Sequence, residues 1–283
     1  MTNLPRLPLL LLLALFPLCS CAEINDLVGS MNKPGVKVAG MDLAGLSLDG
    51  VDLNFDLDVS NPYSVPLPVA GLDYALKSGG APFLNGNSTY QGLIPAGSVQ
   101  RIPLSARVGF TEALRLLQGI KPGAIVPYDA ELGVSVDAPG IGPLRLPVES
   151  SGSFPIPTIP TVSIDQVRWE TLGLSEAKGV IGLKVGNGNS FPLDLDRLSY
   201  SLDLAGLSVA STSLTKALSL KPENSGILEI PVSLRPMDLG MAALSLLSKG
   251  DASWSLRGTM DTLTPFGALS LPVGGTGRTP MVR

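Results

Sequence analysis

The chain is 283 residues long, carries 20 Lys and Arg against 24 Asp and Glu for a net charge of −4, and contains no histidine. Without histidine, Ser-His-Asp and Cys-His catalysis, histidine zinc sites and histidine pH switching are excluded, and an acidic balance of dispersed charges argues against nucleic acid, whose phosphates demand a basic stripe. With 32 Gly, 25 Pro and 5% aromatic residues, the composition suits a turn-rich, mainly β protein.

At the N-terminus Arg6 is the only early charge, an apolar run covers Leu9 to Leu15, and Ser20 supplies a small-residue exit. That is the layout of a secretory signal. Pro5, Pro8 and Pro17 bracket the run inside the roughly 20 apolar residues that a spanning helix needs. Leu18-Cys19-Ser20-Cys21 resembles the lipobox of bacterial lipoproteins. The resemblance implies cleavage before Cys21, lipid on that cysteine, and a membrane as the partner reached through that lipid. An ordinary signal peptide is the alternative and would leave a soluble product. Ala22, where an Asp would mark inner-membrane retention in enteric-type lipoproteins, favours the outer membrane facing the periplasm. The mature chain would keep one cysteine and a net charge of −5, so no internal disulfide can form and stability rests on core burial.

Past a tether over residues 21–34, apolar residues alternate. Val51, Leu53, Phe55, Leu57 and Val59 interleave with Asp52, Asn54, Asp56 and Asp58, the pattern of a half-buried strand. The same period of two runs through Ile102–Val108, Ala130–Val136 and Leu228–Leu234. Phe110, Ala113, Leu114 and Leu117 fall at helical spacing with Gly119 as a stop. Leu239, Ala242, Ala243 and Leu246 do the same between Asp238, a candidate N-cap, and Gly250.

The chain also repeats itself. Asn61, Pro66-Leu67 and Tyr74 are answered by Asn187, Pro192-Leu193 and Tyr200, each displaced by 126 residues. Ile102-Pro103-Leu104-Ser105 is answered by Ile230-Pro231-Val232-Ser233, and Leu144–Val148 by Leu269–Val273. Strand patterns with one short helix per copy predict two tandem β-sandwiches, over residues 35–150 and 161–275. A Pro-rich, semi-extended linker over 151–160 joins them, and 276–283 is read as a tail.

Asn61-Pro62-Tyr63, Pro66-Leu67-Pro68-Val69 and Leu72-Asp73-Tyr74-Ala75-Leu76 together resemble the signature of the late embryogenesis abundant type 2 family, also called the water-stress and hypersensitive-response (WHy) domain. The second copy departs from it, with Asn187-Gly188-Asn189 in place of Asn-Pro-Tyr. The resemblance implies an immunoglobulin-like or fibronectin-III-like sandwich, extracytoplasmic in bacteria and associated with tolerance of desiccation or other stress. The motif itself reads as structural. Asn61-Pro62 ends a strand and starts a corner, while Tyr74 and Tyr200 turn their rings inward with the hydroxyl on a backbone acceptor.

Other groupings read as structural too. Asp52, Asp56 and Asp58 invite a glycosidase pair or a calcium site, but their two-residue spacing puts them on the solvent face of one strand, and no Asp-x-Asp-x-Asp-Gly loop is completed. Trp169 and Trp254 read as core rather than as a carbohydrate platform, and the Leu-rich helices as sandwich caps rather than bilayer anchors. The expectation is a protein with no catalytic site, cofactor or metal. It would serve as a membrane-anchored protector against desiccation or envelope stress, or alternatively as a protein- or lipid-binding subunit of an envelope or transport complex.

Overall fold

A computed structural model describes residues 33–173, 175–215, 218–239 and 250–282. In the first domain β1 (Gly35–Ala44), β2 (Gly50–Ser60) and β6 (Val99–Gly109) form one antiparallel sheet in the order β1-β2-β6. The facing sheet has the order β4-β3-β7-β8, from β3 (Leu67–Ser78), β4 (Ala81–Ser88), β7 (Ile125–Ala138) and β8 (Gly142–Pro155), with the short β5 (Gly92–Ile94) paired to the start of β3. Helix α1 (Phe110–Leu116) follows β6 and buries Phe110 and Ala113, and Gly119 ends the segment at a φ of +83°.

The alternation seen in the sequence builds this core directly. Val51, Leu53, Phe55, Leu57 and Val59 are all fully buried. At about 1.5–3 kcal/mol for each large apolar side chain removed from water, β2 is a principal contributor to the domain. Its polar partners face outward and are matched across the sheet. Arg101 binds Asp58, Arg107 binds Asp52, and Asn54 bridges Asp42 and Ser105.

The second domain repeats the plan. β9 (Thr161–Leu172), β10 (Ala177–Gly186) and β14 (Ser225–Leu234) answer β1, β2 and β6. β12 (Leu207–Leu214), β11 (Leu193–Leu204), β15 (Asp251–Thr264) and β16 (Gly267–Val282) answer β4, β3, β7 and β8, and β13 (Leu218–Leu220) answers β5. The protein is therefore two tandem β-sandwiches of three strands facing five. Helix α2 is described only over Pro236–Leu239, so the expected run through Ala242, Ala243 and Leu246 lies outside the described residues.

Two boundaries differ from the sequence reading. Ser151–Pro155, read as linker, continue β8, because Phe154 is fully buried among Phe83, Phe110 and Tyr128 and holds the strand in the core. Residues 276–282, read as tail, continue β16, whose last residues Met281 and Val282 pair in parallel with Val167 and Arg168 of β9. Gly275 and Gly277 there look like loop residues in the sequence. In the structure they make room for the Trp254 indole, since a Cβ on Gly277 would lie 2.9 Å from its Nε1. The result is an asymmetry: β16 joins the two sheets of the second domain into one, whereas β1 and β8 belong to separate sheets in the first.

Candidate functional site: two asparagine corners and the joint

The sequence motif resolves into a corner built around one buried amide. Asn61 follows β2 and is 2% exposed. Its Nδ2 donates to the carbonyls of Val65 (2.9 Å), Ile94 (3.0 Å) and Pro95 (3.1 Å), and its Oδ1 accepts from the N–H of Tyr63 (3.0 Å). Its own N–H donates to Ser98. One side chain thus ties the ends of two loops together at the edge of the core and gives the Ile94 carbonyl a donor in buried surroundings. Pro62 and Pro66 are exposed at the corner, and Leu67 is fully buried as β3 begins.

Asn187 makes the same set. Its Nδ2 donates to Phe191 (2.8 Å), Leu220 (3.3 Å) and Lys221 (3.1 Å), its Oδ1 accepts from the Asn189 N–H (2.9 Å), and its N–H donates to Asn224. Every partner lies 126 residues after its counterpart in the first corner. Pro192 is half-buried and Leu193 fully buried at the start of β11. The self-bonding turn was legible in the sequence. The three donated bonds were not, because two of the acceptors come from a loop more than 30 residues away.

The departure from the motif in the second copy has a physical reason. Asn189 is fully buried. Its Oδ1 accepts from the Thr158 N–H (2.8 Å) and its Nδ2 donates to the Thr158 carbonyl (3.3 Å), so its amide pairs with the connecting segment as a strand would. Beside it Ser190 donates from both its N–H (2.8 Å) and its hydroxyl (2.9 Å) to Gly123 of the first domain. Gly123 has a φ of +94°, and a Cβ there would lie 2.5 Å from the Gly188 carbonyl oxygen. Only glycine fits this approach. Leu46, from the β1–β2 connection, packs against the cores of both domains. The connection is therefore clasped between the domains, rather than free as its Pro-rich composition suggested.

Tyr200 is buried, and burial raises its hydroxyl pKa; Tyr74 is half-buried against the first core. Among the described residues neither hydroxyl has the expected backbone acceptor, so both rings act through packing. Tyr128, not singled out in the sequence, is buried with its hydroxyl unpaired, and burial pushes its pKa up to about 12. Trp169 and Trp254 are buried in the second core, as expected.

Asp52, Asp56 and Asp58 share the outer face of β2, and two of them meet arginines. The hydrogen bond from Arg101 holds the Asp58 carboxyl below its ordinary range. This arrangement is a solvated charge ladder, with no convergence of carboxylates on a substrate-sized space. Among the described residues no group of three acidic or cysteine side chains could hold a metal ion. No described helix is long and apolar enough to cross a membrane. Cys21 lies outside the described residues.

The chain is 29% identical over 48% of its length to the desiccation protectant protein Lea14 homolog of Glycine max, covering 90% of that protein. It is 26% identical over 48% of its length to the late embryogenesis abundant protein Lea14-A of Gossypium hirsutum, again covering 90% of that protein. The solution structure of a late embryogenesis abundant protein is similar at a TM-score of 0.39 and 24% identity, over 48% of this chain and 79% of that one. A family profile described as late embryogenesis abundant protein matches twice, at residues 56–152 and 182–277, each match lying on one sandwich. The chain belongs to this late embryogenesis abundant family, type 2, and carries two tandem copies of its domain.

Proposed function

We propose that the protein is a non-enzymatic WHy-type stress protector, exported and held by lipid on Cys21 at the periplasmic face of an outer membrane. The single observation that carries the stress role is the pair of family matches on two folded sandwiches, together with one relative named a desiccation protectant. The pairing of Asp52, Asp58 and Asp73 with arginines on the outer faces fits a non-catalytic role. The N-terminal layout and the Leu18-Cys19-Ser20-Cys21 segment support export and anchoring.

The test is survival of drying, freezing and osmotic shock by a strain lacking the protein, with complementation by wild type and by Cys21→Ala. The expected result is lower survival in the deletion, restored by wild type and not by Cys21→Ala. Equal survival of deletion and parent would overturn the protective role. Labelling with a clickable palmitate analogue tests the anchor separately, and label should vanish in Cys21→Ala.

A further inference from the structure

The domains stack end to end, and the end that the second domain uses for stacking is open on the first. In the second domain this end comprises the corner 187–190 and the Pro265-Phe266 turn between β15 and β16. Phe191 there is 1% exposed, with its ring 5.5 Å from that of the half-buried Phe266. The corresponding positions of the first copy are Val65, 44% exposed, and Ile141, 49% exposed. Leu93 and Val99, each 61% exposed, belong to the same end. Leu93 precedes the Ile94 carbonyl held by Asn61, and Val99 pairs with Ser60 at the end of β2.

Two further observations bear on what covers these side chains. Residues 59–72, 88–100 and 138–142, whose ends and turns form this surface, contain no charged residue, whereas the second copy places Lys221 and Glu223 at its equivalent loop. The chain also enters here. Gly35 pairs with Ser60, and Pro34 is buried beside it. The 14 residues from Cys21 to Gly35 reach at most ~50 Å when extended, so a lipid on Cys21 would keep this end near the bilayer. An apolar end whose loops carry no charge, with Lys33 on the entering chain beside it, needs only weak affinity, because the tether makes docking intramolecular.

We propose that this end of the first domain docks on the lipid surface that holds Cys21, with Val65, Leu93, Val99 and Ile141 entering the boundary between headgroups and acyl chains. The inference rests on the lipid-anchor reading above. The lack of Lys and Arg in its loops suits zwitterionic lipid, where burial of apolar area supplies the affinity, over an anionic surface. The second domain then points away from the bilayer.

The experiment couples the mature chain through Cys21, its one cysteine, to a maleimide-headed lipid in phosphatidylcholine vesicles bearing brominated acyl chains. Leu93→Trp places an indole at the proposed contact. Ile227→Trp places one on the exposed face of β14 as a control, and native Trp169 and Trp254 stay in the second core. Bromine should quench the added emission of Leu93→Trp about twofold and leave Ile227→Trp unchanged. Adding Val65→Asp should relieve the quenching. Absence of quenching in Leu93→Trp overturns the docking. So does self-association without vesicles that Leu93→Asp abolishes, which would assign this end to a second copy. Palmitate labelling in the native host separates the two ideas. Label without quenching keeps the anchor and removes the docking, while quenching without label keeps a lipid-binding end and removes the native anchor.

Discussion

At the first corner Asn61, Pro62 and Tyr63 stand at a free end of the molecule; 126 residues later Asn187, Gly188 and Asn189 stand at a joint. The buried amide and its three carbonyl partners are the same in both. What changes are the second and third residues: a proline becomes the glycine that Gly123 approaches, and a tyrosine against the first core becomes an amide that holds Thr158. The motif therefore has two parts. Its asparagine closes the sandwich and is needed in each copy, whereas the residues after it answer to whatever lies beyond the corner.

Removing the asparagines should have the largest effect. Asn61→Ala and Asn187→Ala each remove the donor shared by three carbonyls, of which those of Ile94 in the first corner and of Phe191 and Leu220 in the second are bonded in buried surroundings, a loss on the order of 2 kcal/mol by urea unfolding. Asn187→Ala should also loosen the joint, because Asn189 donates from both its backbone N–H and its Nδ2 to the Asn187 Oδ1. Chemical-shift changes should then reach Gly123 in the first domain for Asn187→Ala, and stay near the free end for Asn61→Ala.

Gly123→Ala addresses the joint alone. The added methyl meets the Gly188 carbonyl at a φ that disfavours side chains, which should cost about 2 kcal/mol of coupling. The expected calorimetric result is one cooperative transition in wild type and two in the variant. A single unshifted transition would mean that the clasp carries no coupling.

A smaller effect separates Gly97 from Glu223. Both occupy the same turn, with φ of +63° and +52°, and both donate an N–H to the third corner residue, Tyr63 or Asn189. Glutamate is strained in this left-handed conformation and glycine is not. Glu223→Gly should therefore stabilise the second domain by about 0.5 kcal/mol after the flexibility glycine adds to the unfolded chain, and Gly97→Ala should destabilise the first by about 1 kcal/mol. Thermal melts of the two variants should move in opposite directions.

Acid should distinguish the domains least. Asp58 is lowered in pKa by its bond to Arg101, and Glu131 by its bond to Lys77, and both lie in the first domain. A lowered folded-state pKa contributes stability that is present above the unfolded value and is lost as pH falls through the folded one. The loss should thus begin below about pH 4 and appear first in the first domain, followed by NMR. The effect is small because these groups face solvent. With no histidine in the chain, no histidine-linked step is expected near neutral pH.

Much of this architecture was legible before any coordinates. A period of two is a local property, so the alternation from Val51 to Val59 by itself marks a strand with one buried face. A repeat at 126 residues marks two copies of whatever the first copy makes, and Asn61-Pro62 marks where a strand must end. The remainder depended on residues brought together from afar. Asn61 meets Ile94 and Pro95 only once the sandwich closes, and Ser190 meets Gly123 only once the second domain is seated. Phe154 turned the first residues of a Pro-rich linker into the end of a strand, and the strand that passes Trp254 at Gly275 and Gly277 runs on through the residues read as tail. In both cases local composition signalled a loop, but burying an aromatic ring outweighs the weak preference of glycine and proline. Sequence alone determined the elements and their duplication, because those follow from side-chain periodicity. The tertiary structure decided where the domains end and how they join, because those follow from contacts between segments the sequence keeps apart.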